Sequence, residues 1–429
     1  MSVRRIALGY VVWAGGLGGL ALAYHHVPEG MDSVWGLTPQ RELLSVGPPW
    51  SLGLFLALAV ASLAGAWVGY RLLAAEDSLR RLTCGVALVG VVLAFAFPPL
   101  LSDDVFSYAD IGLALRSGAN PYVTPPAETP VNPVRPFNSW APITAPYGPL
   151  WLLTSALVVG GGGDAGSIAL RFKLFGAATL VAAALIAARI AGPGAARTLA
   201  TNPVVVIEAA ATGHVDIFLT LLALSAALAF SRRRLSAAAI LLGLAVSCKL
   251  TVGLLVPLLV LRARGWGDGL RLSALTGGVA LLTYAPFMAT GGVLAPFRST
   301  INEGGRGLTN FFWGAPRILL EAVLPTDEVD SAVFVIFLAT VLVATFAVSI
   351  AVYRTTRSGK WSPGFDLARW AGVEALLALT ARRSFTWYWI LPVGLAAAAE
   401  PRGRLLRFAI VCFTVAMSLV YVVLVPAHG

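Results

Sequence analysis

Long apolar runs, separated by short polar segments, recur from one end of the chain to the other. A helix that crosses a membrane needs about 20 apolar residues, and on that basis we predict about thirteen crossing or partly crossing helices. Their predicted positions are 6–24, 51–73, 82–101, 148–161, 169–191, 203–230, 235–249, 251–262, 270–289, 332–353, 365–381, 386–399 and 404–425. The pattern predicts an all-α polytopic membrane protein that forms one membrane-embedded unit over residues 1–429.

The composition agrees with a membrane protein. Hydrophobic residues make up 58% of the chain and charged residues 12%, whereas a soluble domain carries about 25% charged residues. The net charge of +10 raises the question of nucleic acid. However, threading the helices with the N-terminus inside places most Lys and Arg at inner ends, among them Arg171 and Lys173, as the positive-inside rule requires. The charge therefore indicates topology, and we expect no nucleic-acid partner.

The same threading places three long connections on the outer side, at residues 25–50, 102–147 and 290–331. Within the second, residues 104–117 predict a short amphipathic helix lying along the membrane interface. Residues 118–149 are rich in proline, which fixes the backbone and stops helices, so they predict an ordered irregular loop.

Two adjacent carboxylates, Asp103 and Asp104, stand where the helix at 82–101 leaves the membrane. They could cap the next helix, because acids favour the positive end of the helix dipole. They could also take part in chemistry on a lipid-borne substrate. The spacing alone leaves both interpretations open.

Three further charged or titratable residues, Glu208, His214 and Asp216, lie inside one apolar segment. Charges inside a membrane segment are costly and by default indicate function, although they could also be packing residues or pair with arginines. Glu208 and Asp216 are eight residues apart, so both would share one face of a continuous helix, which Gly213 is expected to interrupt. With Asn202 at the outer end, this segment would lie on the side of Asp103 and Asp104.

Basic and aromatic residues at other helix ends complete the predicted site. Lys249, Arg382 and Arg383 could bind phosphate, or they could be interfacial residues whose charges reach water. Arg298 and Arg306 are further phosphate candidates. The run Trp387, Tyr388 and Trp389 could form an aromatic belt at the interface or stack on a sugar.

Several short motifs, in order, resemble the bacterial polyprenyl-phosphate-mannose-dependent α-mannosyltransferases of the GT-C superfamily. They are Asp104-Val105-Phe106-Ser107-Tyr108, Asn120-Pro121-Tyr122, Tyr147-Gly148-Pro149-Leu150, Asn202-Pro203 with Glu208, and Gly213-His214-Val215-Asp216. The resemblance implies a polyprenyl-phosphate sugar donor, a glycan or glycolipid acceptor, a bacterial plasma-membrane location and an extracytoplasmic active site. The superfamily usually carries its acid in the first outer loop, whereas here it falls in the second.

The resemblance, together with the chemistry of the residues, assigns roles. Asp104 is expected to be the base that takes the acceptor proton, with Asp103 as its helper, and the sugar is transferred with inversion. A cation must stabilise the leaving phosphate. The expected substrate-binding residues are Tyr147, Glu208, His214, Asp216, Lys249, Arg382 and Arg383. We expect no cofactor, although the sequence leaves a divalent cation open. The three cysteines lie singly in apolar segments and lack zinc-ligand spacing.

A membrane transporter or flippase of a lipid-linked substrate is the alternative function. Such proteins form substrate paths from broken helices and midplane charges, usually repeated in two halves. The two halves of this chain show no matching broken segments, which favours the enzyme.

Overall fold

The structure is a computed structural model that describes residues 3–23, 78–99, 102–263, 265–304, 324–357, 363–381 and 385–399, with isolated positions in 61–68 and 319–322. The predicted helices at 51–73 and 404–425, and the connection at 25–50, lie largely or wholly outside these residues.

Helices account for all the regular secondary structure that the described residues form. Those with defined ends are α1 (Val3–Ala23), α2 (Leu79–Ala96), α3 (Asp104–Arg116), α4 (Pro149–Val158), α5 (Ala165–Ala191), α6 (Pro193–Ala200), α7 (Pro203–Val206), α8 (Asp216–Ser231), α9 (Leu235–Val246), α10 (Val256–Val260), α11 (Trp266–Gly291), α12 (Ala295–Gly304), α13 (Thr326–Arg357), α14 (Pro363–Thr380) and α15 (Ile390–Ala398). Tighter 3₁₀ turns occur at Pro126–Glu128, Arg135–Phe137, Leu250–Leu255 and Thr386–Trp389, and a π-helical turn at Ile207–Thr212.

Local sequence explains where these helices begin. Proline opens α4, α6 and α7, because its missing N–H would have no partner in the first turn. Polar caps also contribute: Asp164 accepts the amide hydrogen of Ser167 at 2.8 Å before α5, and Asn202 accepts that of Val204 at 3.0 Å before α7.

Within the described part of the chain, four helices are long and apolar enough to cross a membrane: α2, α5, α11 and the part of α13 at Val335–Thr355. The pair Pro203–Thr212 and Asp216–Ser231 makes a fifth span if it is counted as one. The prediction of an all-α polytopic membrane protein is confirmed. Several predicted crossings are shorter pieces, since 148–161 contains only α4, and 251–262 and 386–399 are each divided between a 3₁₀ turn and a short helix.

The direction of α5 corrects the predicted threading. Lys173, near the start of α5, donates to the carbonyl oxygens at the end of α2, including that of Ala94 at 2.9 Å and that of Phe97. The start of α5 therefore lies beside the end of α2, and the two helices run antiparallel. Threading had placed Lys173 at the opposite side, because it counted the ten-residue α4 as a crossing.

The segment predicted as one helix at 203–230 turns back on itself. The two parts meet at an angle of 120°, so the prediction of a continuous helix is wrong and the expected break at Gly213 is confirmed. Trp13, at the middle of α1, donates to the carbonyl of Thr201 at 3.0 Å, so the neighbouring Asn202 lies beside the middle of α1 rather than level with either end of that helix. Helix α8 returns alongside α5, with Phe218 packed on Phe175. The error in the direction of α5 and the error in treating 203–230 as one helix therefore cancel, and the predicted threading applies again after Ser231.

Helix α3 is buried on nearly every side, so the prediction that it lies along the interface is wrong. Asp110 is one reason for this burial. It is fully buried and accepts hydrogen bonds from Nε of Arg135 at 2.6 Å and from Nη2 of Arg135 at 3.0 Å. The side-chain amides of Asn132 and Asn138 also donate to it, at 2.6 and 2.9 Å. These bonds attach the proline-rich loop to α3 and cover the helix, and we call these four residues the Asp110 cluster.

Candidate active site

Asp104 begins α3 and is largely buried, with 10% of its side chain still exposed. Its Oδ2 accepts two phenol hydroxyls, from Tyr108 and from Tyr147, each at 3.3 Å. The ring of Tyr108 meets that of Tyr147 edge to face, so the two phenols fix each other as well as the carboxylate. Asp104 is thus held in place by neutral donors while it remains reachable by a small group.

Asp103 has a different environment from its neighbour. It stands at the cap position of α3, but its side chain makes no capping hydrogen bond. Instead its Oδ2 accepts the amide hydrogen of Ser139 at 2.9 Å and also the Ser139 hydroxyl. Asp103 therefore joins the proline-rich loop to the start of α3, beside the Asp110 cluster.

The break between α7 and α8 places His214 in the interior. The turn at Ile207–Thr212 is π-helical, a form that often marks functional sites, and it ends at Gly213 with φ of +82°. This left-handed conformation favours glycine, since it lacks a Cβ. The amide of His214 then donates to the carbonyl of Glu208 at 2.9 Å, which fixes the histidine against the acid.

His214 connects Asp104 to Glu208. Its Nδ1 lies 3.2 Å from the Tyr108 hydroxyl and 3.8 Å from Oδ2 of Asp104. On the other side of the ring, Nε2 lies 3.4 Å from Oε2 of Glu208. The second oxygen of Glu208 accepts the hydroxyl of Thr386. His214 and Glu208 are both buried.

Lys249 supplies a positive charge at the same place. Its Nζ donates to Oδ1 of Asp216 at 2.9 Å and lies 4.2 Å above the ring of Tyr388, a cation–π contact. The side chain of Lys249 is 21% exposed, and it lies within electrostatic range of Asp104. The predicted residues Asp104, Tyr147, Glu208, His214, Asp216 and Lys249 are therefore brought together, although by a broken helix rather than a continuous one.

The aromatic run Trp387, Tyr388 and Trp389 packs against the buried part of the site. Trp387 stacks on His214 with ring centroids 4.0 Å apart and on Phe385 with centroids 4.3 Å apart. The His214 and Phe385 rings both lie nearly parallel to the Trp387 ring and close to its centroid, so they must cover its two opposite faces. Neither face of Trp387 is therefore open to a sugar. Trp387 and Trp389 are buried in the protein, so the predictions of a lipid-facing belt and of sugar stacking by Trp387 are wrong.

The environment of Asp104 makes it a better proton acceptor than an ordinary aspartate. Burial is the main cause that raises the pKa of Asp104 from 3.8 to about 7, and the charge of the adjacent Asp103 adds to the rise. Hydrogen bonds from Ser102, Tyr108 and Tyr147 lower the pKa and only partly oppose this. A general base works best when its pKa is near the working pH.

Of the four arginines predicted to bind phosphate, the structure describes one. Arg382, Arg383 and Arg306 lie outside the described residues, and Arg298 is exposed on α12. Conversely, the sequence reasoning gave no role to Tyr108, Thr386 or Glu374. Glu374 is a buried acid of α14 that interacts electrostatically with Lys249 and Asp216, and it could have been found by the rule that charges in apolar helices indicate function.

In the part of the chain that the structure describes, no three His, Cys, Asp or Glu side chains meet in a way that could hold a metal ion. What the described residues do form is a partly open carboxylate, a lysine close to it and a buried histidine between two acids.

Comparisons with known proteins place this all-α membrane protein among the glycosyltransferases and narrow the class further. A sequence profile described as "Alpha-(1->6)-mannopyranosyltransferase, N-terminal domain" matches residues 11–265, more than half of the chain. The chain therefore belongs to the α-(1→6)-mannopyranosyltransferase family, as the resemblance predicted, and it is a mannosyltransferase.

Two curated relatives agree with this family. Alpha-(1->6)-mannopyranosyltransferase A of Mycobacterium tuberculosis is 27% identical over 415 residues, which cover 90% of this chain and 78% of the relative. The protein of the same name from Corynebacterium glutamicum is 30% identical over 218 residues, 46% of this chain and 44% of the relative. No solved structure matches the chain significantly.

Proposed function

We propose that the protein transfers a mannosyl residue from polyprenyl phosphate to a hydroxyl of an extracytoplasmic glycan or glycolipid, with inversion at the anomeric carbon. The observation that carries the proposal is a partly exposed carboxylate, Asp104, held by two phenols within electrostatic range of Lys249. The names of the two relatives support an α-(1→6) linkage in the product.

Asp104 is the base in this reaction. A sugar hydroxyl is a poor nucleophile, and a carboxylate that takes its proton as the new bond forms increases its reactivity. The two phenols leave part of the carboxylate exposed to an incoming hydroxyl. Asp103 serves the base indirectly, because its own oxygen is occupied by Ser139.

Lys249 stabilises the phosphate that leaves. Negative charge grows on this group as the bond to the sugar breaks, and a fixed cation nearby lowers the barrier. The lysine is paired with Asp216, so the phosphate would share the ammonium with that carboxylate. A donor anchored by a polyprenyl chain suits a site at the end of the apolar helices α2 and α5.

Inversion follows from a single displacement. The acceptor oxygen attacks the anomeric carbon from the side opposite the phosphate, so an α-linked product requires a β-linked donor. Asp104 and Lys249 would then act on opposite sides of the sugar.

No cofactor is part of the proposal. We expect transfer to continue in the presence of a chelator, and a loss of transfer that Mg²⁺ or Mn²⁺ restores would add a cation to the site.

The test is an assay of membranes that contain the protein, with labelled β-mannosyl polyprenyl phosphate and, in parallel, labelled GDP-mannose. We expect label from the lipid donor in an α-(1→6)-linked product, and none directly from the nucleotide once lipid-donor synthesis is blocked. Direct use of GDP-mannose would overturn the lipid donor, and a β-linked product would overturn inversion.

Sealed inside-out and right-side-out vesicles add the location and test the alternative function. A membrane-impermeant acceptor should be mannosylated only when it contacts the extracytoplasmic face. Movement of the labelled lipid between leaflets without any glycosidic product would instead support a flippase.

A further inference from the structure

A continuous series of close contacts leads from Asp104 into the protein. Oδ2 of Asp104 is 3.3 Å from the Tyr108 hydroxyl, which is 3.2 Å from Nδ1 of His214. Nε2 of the same ring is 3.4 Å from Oε2 of Glu208. The series crosses from α3 to the break between α7 and α8, and it ends at an acid that is 0% exposed.

The inner end of this series is incompletely hydrogen-bonded. His214 Nε2 and Glu208 Oε2 are both buried, and neither has a hydrogen-bond partner at the geometry that the structure shows. They face each other at 3.4 Å. A buried ring nitrogen and a buried carboxylate oxygen are costly without a hydrogen between them, so one of the two atoms must carry a hydrogen that the other accepts.

The hydrogens held along this series link the protonation of Asp104 to that of Glu208. If Asp104 is ionised, Tyr108 donates to it, Nδ1–H of His214 donates to Tyr108, and bare Nε2 accepts from protonated Glu208. If Asp104 is protonated, it donates to Tyr108, Tyr108 donates to bare Nδ1, and Nε2–H donates to ionised Glu208. Both arrangements hold the same three hydrogens and one negative charge, so the charge moves between the acids without any proton entering or leaving.

We propose that Tyr108, His214 and Glu208 form a proton-sharing relay that ionises Asp104 by holding its proton on Glu208. Tyr108 touches the base directly, whereas His214 and Glu208 are positioning residues that act through it. The proposal rests on Asp104 being the catalytic base. Its Tyr108–His214 contact joins residues 106 positions apart, so it depends on the packing of α3 against the helix break.

The surroundings fix the relay and limit other routes. Trp387 stacks on the His214 ring and Thr386 donates to the other oxygen of Glu208, so neither group can turn to a different partner without losing these contacts. Among the residues that the structure describes, the other titratable and charged groups that interact with the relay are Asp103, Tyr147, Asp216 and Lys249.

The matched variants are Glu208→Gln and Glu208→Ala. Glutamine can donate permanently from its amide to Nε2, as protonated Glu208 does, but it cannot be ionised. Alanine removes the donor and leaves Nε2 unpaired. We therefore expect Glu208→Gln to lose less transfer than Glu208→Ala, which should lose at least about 10-fold in kcat, toward the range of general-base contributions.

The pH profile separates proton sharing from a merely structural role. In the wild type two acids compete for one proton, so kcat/KM should rise with pH in two steps. In Glu208→Gln only Asp104 is ionised, and the rise should become a single step at lower pH. A Glu208→Gln profile identical to that of wild type would overturn the relay.

Infrared spectroscopy provides a readout that needs no substrate. Near neutral pH the wild type should show the band of a protonated, buried carboxyl, and Glu208→Gln should lose it. In Asp104→Asn the competing acid is gone, so the band assigned to Glu208 should disappear at lower pH than in wild type. A band that Glu208→Gln leaves unchanged would also overturn the relay.

These results distinguish the relay from the proposed function. If Asp104→Asn transfers mannose normally, Asp104 is not the base, so the assignment of the base and the relay both fail while transfer of mannose itself stands. If Asp104→Asn is inactive while Glu208→Gln shows the wild-type profile and carboxyl band, only the relay fails.

Discussion

Asp104 and Asp110 lie on the same helix, α3, and both are buried, yet their surroundings are opposite. Asp110 accepts four hydrogen bonds, two of them from the guanidinium of Arg135, and no part of it is exposed. Asp104 accepts two long bonds from phenols, keeps some exposed surface and has no ion pair with a lysine or arginine among the described contacts. The negative charge of Asp110 is therefore fully compensated by its ion pair and hydrogen bonds, whereas that of Asp104 is not.

The difference shows how the protein divides its buried charges between structure and chemistry. A buried carboxylate is stabilised when its bonds are complete and a cation is paired with it. Such a group is a poor base, because it would lose those bonds on taking a proton. Asp104 is held in position by neutral donors, so it can gain a proton without breaking an ion pair.

The largest expected effect is that of Asp104→Asn on activity. The amide keeps the shape of the side chain but cannot take a proton, so kcat should fall about 10²- to 10⁴-fold. Thermal unfolding in detergent should be unchanged or slightly stabilised, because a charge is removed from a buried place. Wild-type turnover in purified Asp104→Asn would show that the incomplete bonding of Asp104 is unrelated to catalysis.

The reverse pattern is expected for the Asp110 cluster. Arg135→Leu leaves Asp110 buried without its cation, which should cost about 3–5 kcal/mol of unfolding free energy. The melting temperature should fall, and activity should fall with the folded fraction. Arg116→Leu is the matched control, since Arg116 is exposed at the end of the same helix. Equal melting temperatures for the two variants would mean that the cluster does not hold the loop.

Lys249 tests whether a buried ion pair can also serve chemistry. Lys249→Met should lower kcat/KM for the lipid donor about 10- to 100-fold, as expected for losing a bond of about 1.5–3 kcal/mol to a charged group. It also leaves Asp216 unpaired, so stability should drop. The double variant Lys249→Met with Asp216→Asn should recover stability but not activity; recovery of both would make the pair purely structural.

The smallest expected effect concerns Asp103 and the pH profile. Because the pKa of Asp104 is raised to about 7, its base form is gained as pH rises, and the two-step rise of kcat/KM that the relay predicts should lie around that pH. Asp103→Asn keeps an oxygen that can accept from Ser139 but removes the neighbouring charge. The acid limb should then move to lower pH by less than about one unit. An upward shift would contradict the electrostatic role of Asp103.

Several site residues could be predicted from the sequence because charge inside an apolar segment is conspicuous. That rule selected Glu208, His214 and Asp216, whereas Asp104 and Lys249 were selected by their positions at helix ends and Asp104 also by the family resemblance. The rule gave no role to Tyr108 and Thr386, because a phenol or a hydroxyl near a helix end is common and carries no signal without its partner.

Hydropathy also misjudged which apolar segments cross the membrane. The ten residues of α4 pack in part against protein, and α3 approaches so closely that a Cβ at Gly112 would collide with the backbone of Ser155. Hydropathy records only that a residue avoids water, so it cannot separate burial in protein from burial in lipid. The broken helix at Gly213 was foreseen, but its reversal of direction was not.

The sequence by itself determined the all-α membrane architecture, the family and the small set of charges that the apolar segments carry, because these depend on composition and short motifs. Only the tertiary structure decided that Asp110 is compensated and Asp104 is not, and that His214 lies between Asp104 and Glu208. The physical reason is that bonding and burial depend on groups from distant segments, such as Tyr147, Lys249 and Trp387, which packing alone brings to the same place.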